Sequence, residues 1–363
     1  MTDTEPCEKQ PKIEEYFSSY EDLEVHRLML TDRPRQEAYR EAILSNASLF
    51  AGKTVLDVGA GTGILSIFCA QAGAAKVYSI EASKIAGIAR EIVKENGFGN
   101  VIEVHQSRVE DFKLDGDDQR QVDIIVSEWM GFYLLHEGML DSVLAARDKF
   151  LKPTGSMFPQ NASIYVAPCA VPTLFDDWHS HDDVQMQAFG AALRAQKSLK
   201  PEIMVVPPGD LLHEGTVMAW FDLNEVSMED LNELVFNEVI VTQHPGNYQG
   251  ICLWFDVAFP TNDEEETVTL LTGPTAEPTH WKQTVILLPD QYQETIEPNQ
   301  PIAFNLAMKR NEENQRQYKL ELTILDPNNV EHSVPCDCDL TKCILVKEHL
   351  KLSEAQDIVP ELV

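Results

Sequence analysis

Two carboxylates lie close together in one short stretch of the chain. Glu128 belongs to the run Ser127-Glu128-Trp129-Met130-Gly131, and Glu137 follows nine residues after it. Two neighbouring acids repel each other, and one has its pKa raised unless a cation lies between them. A guanidinium group suits that position, because it is planar and charged and binds carboxylates through paired hydrogen bonds. The pair therefore predicts a clamp for a planar cation, although the spacing also fits ordinary loop charges.

Such a clamp could make a guanidinium reactive. Its pKa lies above about 12, so a free guanidinium is a poor nucleophile. Two acids can draw the positive charge toward the other nitrogens and leave one nitrogen with lone-pair character. Attack of that nitrogen on a methyl donor would be an in-line displacement that depends on orientation and electrostatics.

A glycine turn after a buried strand predicts a nucleotide site. The strand at 53–58 leads into Gly59-Ala60-Gly61-Thr62-Gly63, which opens a helix and allows a ligand close approach to the backbone. The third glycine of a dinucleotide fingerprint would fall at Ile64, which disfavours a hydride-transfer cofactor. Asp57 would repel a pyrophosphate, and Glu81 ends the next strand, where an acid binds ribose hydroxyls. These features predict a positively charged, phosphate-free nucleoside, and S-adenosylmethionine is such a molecule.

Three more residues are candidates for contacts with that nucleoside. Glu110 follows the third predicted strand, where it could accept a hydrogen bond from an adenine amino group. Arg35 and His26 lie in amino-terminal helices, and a helix folded over the cofactor could offer Arg35 to the methionine carboxylate. Glu110 also fits a solvated acid in a loop, and Arg35 also fits an ordinary surface arginine on an amphipathic helix.

The elements around these residues alternate between strands and helices. Strands at 53–58, 76–80, 101–105 and 122–127 are followed by helical patterns. This order predicts a doubly wound parallel α/β sheet, whose ligands bind at the carboxyl ends of the strands. Domain 51–158 is the predicted nucleotide-binding unit.

Helices are predicted before this domain. Residues 1–12 are polar and are expected to be disordered. Residues 13–50 have helical periodicity, with a break near 31–34 because the residue before a proline resists the helical conformation.

Short strands separated by turns follow, and they predict a β-rich domain over 159–363. A helix-favouring apolar insert at 172–205 interrupts it. The insert packs on its own domain or on another subunit, and sequence alone favours the former.

Charge and cysteine content narrow the class of partners. The chain has 28 basic and 59 acidic residues, a formal net charge of −31, which disfavours direct binding of nucleic acid or anionic membranes and attracts basic protein segments. No run of eighteen or more apolar residues suggests a membrane span. The seven cysteines and the lack of a leading apolar stretch favour a reducing compartment, so we expect the nucleus, the cytoplasm or both.

A cluster near the carboxyl end could supply four zinc ligands. It consists of His332, Cys336, Cys338 and Cys343. Its spacing is Cys-x-Cys rather than the Cys-x-x-Cys of a zinc knuckle, so metal binding is the less favoured interpretation. No metal is predicted in the active site.

The motifs resemble those of the protein arginine N-methyltransferases. The carrying residues are Val-Leu-Asp-Val-Gly-Ala-Gly-Thr-Gly at 55–63, Glu81, the Ser-Glu-Trp-Met-Gly loop with Glu137-x-Met139-Leu140, and Thr279-His280-Trp281. The likeness runs from about residue 16 to beyond 325 and is to the type I enzymes, which make asymmetric dimethylarginine. It implies a Rossmann-like class I methyltransferase domain, a β-barrel-like domain with a helical dimerisation arm at 172–205, and S-adenosyl-L-methionine as cofactor.

The resemblance also implies roles for individual residues. Glu128 and Glu137 match the catalytic pair, and His280 matches a barrel histidine proposed in the family to help with proton removal. The matches to the family's S-adenosylmethionine contacts are His26, Arg35, Gly59, Glu81 and Glu110, with Asp57 and Gly61 in the same motif. The aromatic helix that closes over the cofactor is matched by Tyr16, Phe17 and Tyr20. Met29, Met139 and Trp281 match the border of the substrate channel.

The implied partners are basic, arginine-containing proteins such as histone tails or RG-rich proteins, and a second copy of the chain. Two departures from the family pattern concern the substrate side. Arg27 and Leu28 stand where the family has two acids, and Gln36 replaces a threonine. Loss of an acid near the channel could change the number of methyl groups delivered or the grip on the substrate.

Two other functions share part of this pattern. A small-molecule methyltransferase would need the cofactor residues but not two acids with Thr279-His280-Trp281. A catalytically weak dimeric scaffold would be expected to have lost Glu128, Glu137 or a glycine of the turn, and none is lost.

Overall fold

The structure is a computed structural model, and it describes residues 20–114, 121–261, 267–289, 292–331 and 336–357. The predicted disordered segment 1–12, the aromatic residues Tyr16 and Phe17, and His332 lie outside these ranges. Within them, no helix is both long and apolar enough to cross a membrane.

Two amino-terminal helices meet at Asp32, where the sequence predicted a break. Helix α1 covers Leu23–Thr31 and α2 covers Arg33–Ser45, with a proline in the first turn of α2. The Asp32 side chain accepts a hydrogen bond from the backbone N–H of Arg35 at 3.2 Å, which satisfies one of the unpaired donors at the start of a helix. A short helix, α3 at Ala47–Phe50, leads into the first sheet.

The first sheet is parallel, with strand order β3-β2-β1-β4-β5. Its strands are β1 Thr54–Val58, β2 Lys76–Glu81, β3 Ile102–Gln106, β4 Val122–Val126 and β5 Leu151–Phe158. The intervening helices are α4 Ile64–Gln71, α5 Ala86–Glu95 and α6 Leu140–Phe150. Four successive residues of β1 are buried, as expected for a parallel sheet that is covered on both faces.

Strand β5 was not predicted, because it contains Pro153. A proline removes one backbone donor and is therefore restricted to sheet edges. The structure places β5 at the edge of the sheet, beside β4 only, so the proline is tolerated there.

The second unit is built from antiparallel strands, which confirms the predicted order of an α/β domain followed by a β-rich domain. A six-stranded sheet has the order β10-β6-β13-β15-β9, with β14 beside β13. Its strands are β6 Asn161–Cys169, β9 Glu202–Met204, β10 Thr216–Asp222, β13 Gly250–Ala258, β14 Thr269–Leu271 and β15 Gln283–Leu287. A three-stranded sheet is formed by β11 Glu233–Val241, β17 Pro301–Arg310 and β18 Tyr318–Leu325, and a pair by β12 Gly246–Tyr248 and β16 Glu294–Ile296.

The insert at 172–205 contains a 3₁₀ helix at Asp176–Trp178, a small hairpin and one α-helix, and it ends in strand β9 of the six-stranded sheet. The hairpin is β7 Ser180–His181 with β8 Val184–Gln185, and the helix is α7 Gln187–Lys197. The rings of Trp178 and Phe189 contact each other at 4.6 Å between centroids. Phe189 nevertheless remains 51% exposed and Leu199 83% exposed, so packing within the insert leaves much of its apolar surface uncovered.

One continuous core joins the two units. The ring of Tyr39 from α2 contacts that of Phe259, which follows β13, at 4.8 Å. The ring of Phe158, at the end of β5, lies 6.4 Å from that of Phe259 between centroids. The amino-terminal helices, the parallel sheet and the β-rich unit therefore share a core, and the last helix, α8 at Thr341–Asp357, follows β18.

A fully buried acid in β1 makes stability depend on pH. Asp57 is 0% exposed, and burial raises its pKa from 3.8 to about 7, although a hydrogen bond from Ser66 opposes the rise. The folded-state pKa lies above the unfolded value, so this contribution to stability is fully present below about pH 4 and is lost as the pH rises through about 7.

We expect Asp57→Asn to remove this dependence. Between about pH 5.5 and about pH 7.5 the free energy of unfolding of the wild type should fall by about 2 kcal/mol relative to the variant. Urea titrations of both proteins at the two pH values measure the difference. Equal pH dependence in wild type and variant would show that Asp57 is ionised in the folded protein throughout.

Candidate active site

One cavity of about 280 Å³ lies at the carboxyl edge of the parallel sheet. Its wall contains thirteen of the fourteen predicted site residues: Tyr20, His26, Met29, Arg35, Gly59, Gly61, Glu81, Glu110, Glu128, Glu137, Met139, His280 and Trp281. The residues come from the amino-terminal helices, from the loops after β1 to β4 and from the β-rich unit. The fold thus brings together residues that are far apart in sequence.

The glycine turn forms a narrow cradle in this wall. Gly59, Gly61 and Gly63 all have positive φ, at 72°, 55° and 81°, a conformation that L side chains rarely adopt. A Cβ atom built at Gly59 would lie 2.1 Å from the Met139 Cε atom. Side chains at this turn would thus narrow the cavity, which fits close approach of a ligand to the backbone.

Glu81 is fixed beside that turn by two backbone donors. Its Oε2 atom accepts a hydrogen bond from Gly61 N at 2.8 Å, and Oε1 accepts one from Ser83 N at 2.7 Å. Each carboxylate oxygen can accept more than one hydrogen bond. Glu81 can therefore still accept hydrogen bonds from two adjacent ligand hydroxyls.

Glu110 faces the cavity from the loop after β3. Its Oε1 atom accepts a hydrogen bond from Ser142 Oγ at 2.7 Å, and its Oε2 atom lies 3.3 Å from Arg108 Nε. Partial burial acts to raise the pKa of Glu110. The Ser142 hydrogen bond and the Arg108 charge outweigh this effect, so the pKa lies below its usual value. Glu110 is therefore an ionised acceptor.

Asp57 is the predicted cofactor residue that does not line the cavity. The sequence interpretation placed its charge beside the ligand, which is wrong. Its side chain instead accepts a 2.6 Å hydrogen bond from Ser66 Oγ of α4. Because helix α4 covers this part of β1, the carboxylate is enclosed between strand and helix, with its Oδ1 atom lacking a hydrogen-bond partner.

Glu128 already holds a guanidinium group, that of Arg35. Arg35 Nε and Nη2 donate to Glu128 Oε2 at 2.9 and 2.6 Å, while Nη1 donates to the Met29 carbonyl at 3.1 Å. The side chains of both partners are less than a tenth exposed. Removing either charge of such a buried pair destabilises a protein far more than removing one charge of a surface ion pair.

The position of Glu128 is set by the residue before it. Ser127 Oγ donates to the Val58 carbonyl at 2.7 Å, and Tyr39 Oη donates to the Ser127 carbonyl at 2.9 Å. These bonds join the ends of β1 and β4 to helix α2. Glu128 therefore projects from a fixed piece of backbone.

Glu137 reaches the same cavity from a strained loop. Tyr133, Leu134 and Glu137 have positive φ values of 44°, 74° and 77°, which cost energy in residues other than glycine and occur preferentially at functional sites. A Cβ atom at Gly131 would lie 2.0 Å from the His136 carbonyl oxygen, so the loop is compact only with glycine there.

Three side chains hold this loop and its acid. Tyr20 Oη donates to Glu137 Oε2 at 2.5 Å, and Arg316 Nη1 donates to the Glu137 carbonyl at 2.8 Å. Trp281, which is 3% exposed, donates from Nε1 to the Met130 carbonyl at 2.9 Å. Trp281 thus supports the loop as well as forming part of the cavity wall.

His280 is joined to the amino-terminal helices through Asp32. Asp32 Oδ2 lies 2.5 Å from His280 Nδ1 and accepts a hydrogen bond from His280 N at 2.8 Å. Burial acts to raise the pKa of Asp32, but hydrogen bonds from His280 and from Arg35 N outweigh it and lower the pKa. The same carboxylate thus caps α2 and orients the histidine.

Tyr20, His26 and Met29 complete the side of the cavity formed by α1 and the residues before it. His26 is buried, its Nε2 atom lies 2.8 Å from the Tyr20 carbonyl, and its ring would contact a Cβ atom at Gly61 at 3.5 Å. The Met29 carbonyl accepts hydrogen bonds from both Arg35 and Gln36. Gln36, one of the two departures from the family pattern, therefore supports the cavity wall rather than entering it.

The other departure from the family pattern concerns Arg27 and Leu28, and the structure places these two residues differently. Leu28 lines the cavity, so an apolar side chain stands where the resemblance implies an acid. Arg27 does not line it; its Nε atom instead forms a 2.7 Å ion pair with Glu24 on the exposed face of α1.

Sequence reasoning missed three residues of the site. Asp32 could have been found, because an aspartate before Arg33-Pro34 is a typical helix N-cap, although its contact with His280 joins residues 248 positions apart. Arg316 and Tyr39 gave no signal, since their contacts with the acid loop depend on the packing of separate elements.

Comparisons with known proteins agree with this geometry. Residues 55–155 match the description of a methyltransferase domain, and residues 160–324 match an arginine methyltransferase oligomerization subdomain. Protein arginine N-methyltransferase 6 of Danio rerio is 38% identical over 327 residues, which cover 88% of this chain and 91% of that protein.

Solved structures agree as well. The PRMT1 enzyme-prozyme heterotetrameric complex of Trypanosoma brucei with AdoHcy has a TM-score of 0.73 and 34% identity, covering 87% of this chain and 98% of that chain. The crystal structure of PRMT6-SAH has a TM-score of 0.72 and 31% identity, covering 84% of this chain and 100% of that chain. The resemblance of the motifs to the protein arginine N-methyltransferases is confirmed, and several of the similar proteins are named as member 6 of that family. This chain belongs to the protein arginine N-methyltransferase family.

Proposed function

We propose that the chain transfers methyl groups from S-adenosyl-L-methionine to guanidino nitrogens of arginines in basic proteins, such as histone tails or RG-rich proteins. The products would be ω-N-monomethylarginine and asymmetric dimethylarginine. The observation that carries the proposal is the Arg35–Glu128 pair, in which one of the two predicted acids binds a guanidinium inside the cavity that Glu137 also enters.

The residues present fit the cofactor. The positive φ values of Gly59 and Gly61 disfavour side chains at the cradle, and Glu81 and Glu110 offer acceptors for ribose hydroxyls and an adenine amino group. Three of the five N–H bonds of Arg35 are directed at Glu128 and Met29, so two remain for a ligand carboxylate. When bound, the cofactor supplies an electrophilic sulfonium methyl group.

The chain's own residues prepare the arginine. Glu128, through the Oε1 atom that Arg35 does not contact, and Glu137 bind the substrate guanidinium. They concentrate its positive charge on the nitrogens that they contact, which leaves the third nitrogen more nucleophilic. Because both acids stand on backbone that other side chains fix, the geometry is set before the substrate arrives. His280, oriented by Asp32 at the cavity wall, is placed to accept the proton that the guanidinium loses.

The charge of the chain supports a basic protein substrate. A net charge of −31 raises the local concentration of cationic segments through long-range attraction. A small neutral acceptor would gain nothing from that field. Leu28 at the cavity wall in place of an acid limits the number of carboxylates near the channel, so the ratio of mono- to dimethylated product is the property that this position should affect.

We also propose that the active form is a homodimer that meets its substrates in the nucleus, the cytoplasm or both. The exposed apolar residues of the insert support the dimer, and the six cysteines that the structure describes are all thiols, which suits a reducing compartment. Fractionation of cells that express the tagged chain tests the compartment; recovery only from the secretory pathway would contradict it.

Incubation with labelled S-adenosylmethionine and an arginine-rich histone tail, followed by mass analysis, tests the activity. We expect label on arginine, with monomethylated product first. Transfer to free small molecules but not to the tail would favour a small-molecule methyltransferase. Cofactor binding without any transfer would favour the scaffold.

Glu137→Gln should separate cofactor binding from turnover. The amide keeps the shape of the side chain but removes the charge that polarises the guanidinium, so we expect kcat to fall about 10²–10³-fold while affinity for S-adenosylmethionine changes little. Calorimetry and single-turnover kinetics measure the two quantities. Glu229→Gln, at an exposed position, is the matched control, and normal turnover by Glu137→Gln would refute the clamp.

Phe189→Asp with Leu199→Asp should disrupt the dimer. A charge on an apolar contact surface is destabilising when the surface is buried, so we expect the wild type to sediment as a dimer and the double variant as a monomer. Val235→Asp, another exposed apolar position at 51% exposure, is the control. A dimeric double variant would show that the insert is not the contact surface.

A further inference from the structure

Three cysteine side chains gather near the carboxyl end, outside the active-site cavity. The Sγ atoms of Cys336, Cys338 and Cys343 all lie within 4.8 Å of one another, and none of these residues lines the cavity of the acid pair. Cys338 and Cys343 are 3% and 5% exposed. Side chains that are distant from the proposed catalytic residues therefore form a compact sulfur cluster of their own.

The separations suit a metal ion. Zinc–sulfur bonds are about 2.3 Å long, so thiolates around one ion lie about 4 Å from each other. Contraction by at most about 1 Å, within the reach of side-chain rotation, would bring the three sulfurs to that spacing. A disulfide would join only two of the three sulfurs, whereas one metal ion can bind all three. The Cys-x-Cys spacing disfavoured a zinc knuckle, but the fold adds Cys343 from the first turn of α8.

The local backbone places a hydrogen-bond donor and the start of a helix beside these sulfurs. The N–H of Cys338 points at Cys336 Sγ at 3.5 Å, as in many metal sites where outer hydrogen bonds orient the ligands. Cys343 lies in the first turn of the seventeen-residue helix α8, where the helix dipole favours anions. Lys342, also in that turn, donates from Nζ to the carbonyls of Asn328 and Val330 at 3.1 and 3.0 Å, which holds the segment after β18 against the start of α8.

We propose that Cys336, Cys338 and Cys343 bind one thiophilic cation, Zn²⁺, in a structural site that fixes the first turn of α8 to the segment that precedes it. Thiolates select soft and borderline cations such as zinc over magnesium or calcium. The three sulfurs leave one tetrahedral position for water or another donor. The proposal does not depend on His332.

The helix itself needs such a fixation. Leu345 and Leu352 of α8 are 64% and 63% exposed, so apolar packing of the helix's described side chains is slight, and helices in proteins owe most of their stability to such packing. One backbone hydrogen bond, from Asp339 N to the Asn299 carbonyl at 3.0 Å, joins the segment before α8 to the β-rich unit. A metal held by Cys336, Cys338 and Cys343 would tie the first turn of α8 to this segment and so strengthen the connection that the hydrogen bond makes.

The test uses the full chain, purified under reducing conditions and stripped with a chelator. We expect it to take up one equivalent of Zn²⁺, and Co²⁺ in its place to give the near-ultraviolet absorption of cobalt–thiolate bonds. Cys338→Ser and Cys343→Ser should each weaken binding by at least about 100-fold, since loss of a ligand exceeds loss of an outer-shell partner. Cys69→Ala, which removes a buried thiol of α4, should bind as the wild type does.

Limited trypsin digestion provides an independent measurement. Zn²⁺ should slow cleavage after Lys347 and Lys351 of α8 in the wild type and in Cys69→Ala, but not in Cys338→Ser. Absence of Zn²⁺ uptake by the wild type, equal uptake by the serine variants, or a disulfide between two of these cysteines under the same conditions would overturn the proposal. Methyl transfer by the Zn²⁺-loaded wild type is a separate readout: its absence would count against the proposed function and would leave the metal site unaffected.

Discussion

The buried pair of Arg35 and Glu128 is the interaction on which the arrangement of the site depends. Both side chains are less than a tenth exposed, so each charge has lost most of its hydration and each needs the other. Arg35 belongs to α2, while Glu128 follows β4. The buried charge of Glu128 is therefore compensated only when the amino-terminal helices are in place. Removing one partner of such a pair costs about 3–5 kcal/mol, because the other charge remains buried. The helices that cover the cavity are thereby tied to the sheet at the point where chemistry is proposed.

The β-rich unit supplies the second constraint, through the loop that carries Glu137. Positive φ values in this loop persist only if surrounding structure enforces them. Trp281 and Arg316 do so from the β-rich unit, by hydrogen bonds to the carbonyls of Met130 and Glu137. The nucleotide-binding domain therefore does not determine the geometry of its own acid pair, and the shared core of the two units is part of the site.

The elements that the sequence predicts correctly are those with local signals. The glycine turn and the alternation of strands and helices gave the sheet, and the position of Glu81 and Glu128 at strand ends then gave the cavity. Asp57 was misplaced because a parallel strand is buried on both faces, and spacing alone does not show that α4 encloses that side chain. Strand β5 was hidden by Pro153, and the packing of Trp281 and Arg316 on the acid loop joins segments more than 150 residues apart.

Asp32 shows how a local signal acquires a role that only the fold reveals. As a helix cap it positions the first turn of α2, and with it Arg35. As the hydrogen-bond partner of His280, it also joins α2 to the β-rich unit. Its carboxylate remains ionised, because these donors outweigh the effect of burial on its pKa. A displacement of α2 would therefore alter the guanidinium on Glu128 and the orientation of His280 together. The electrostatics of both sides of the cavity consequently depend on the same helix terminus, which explains why the covering helices belong to the active site rather than to its surroundings.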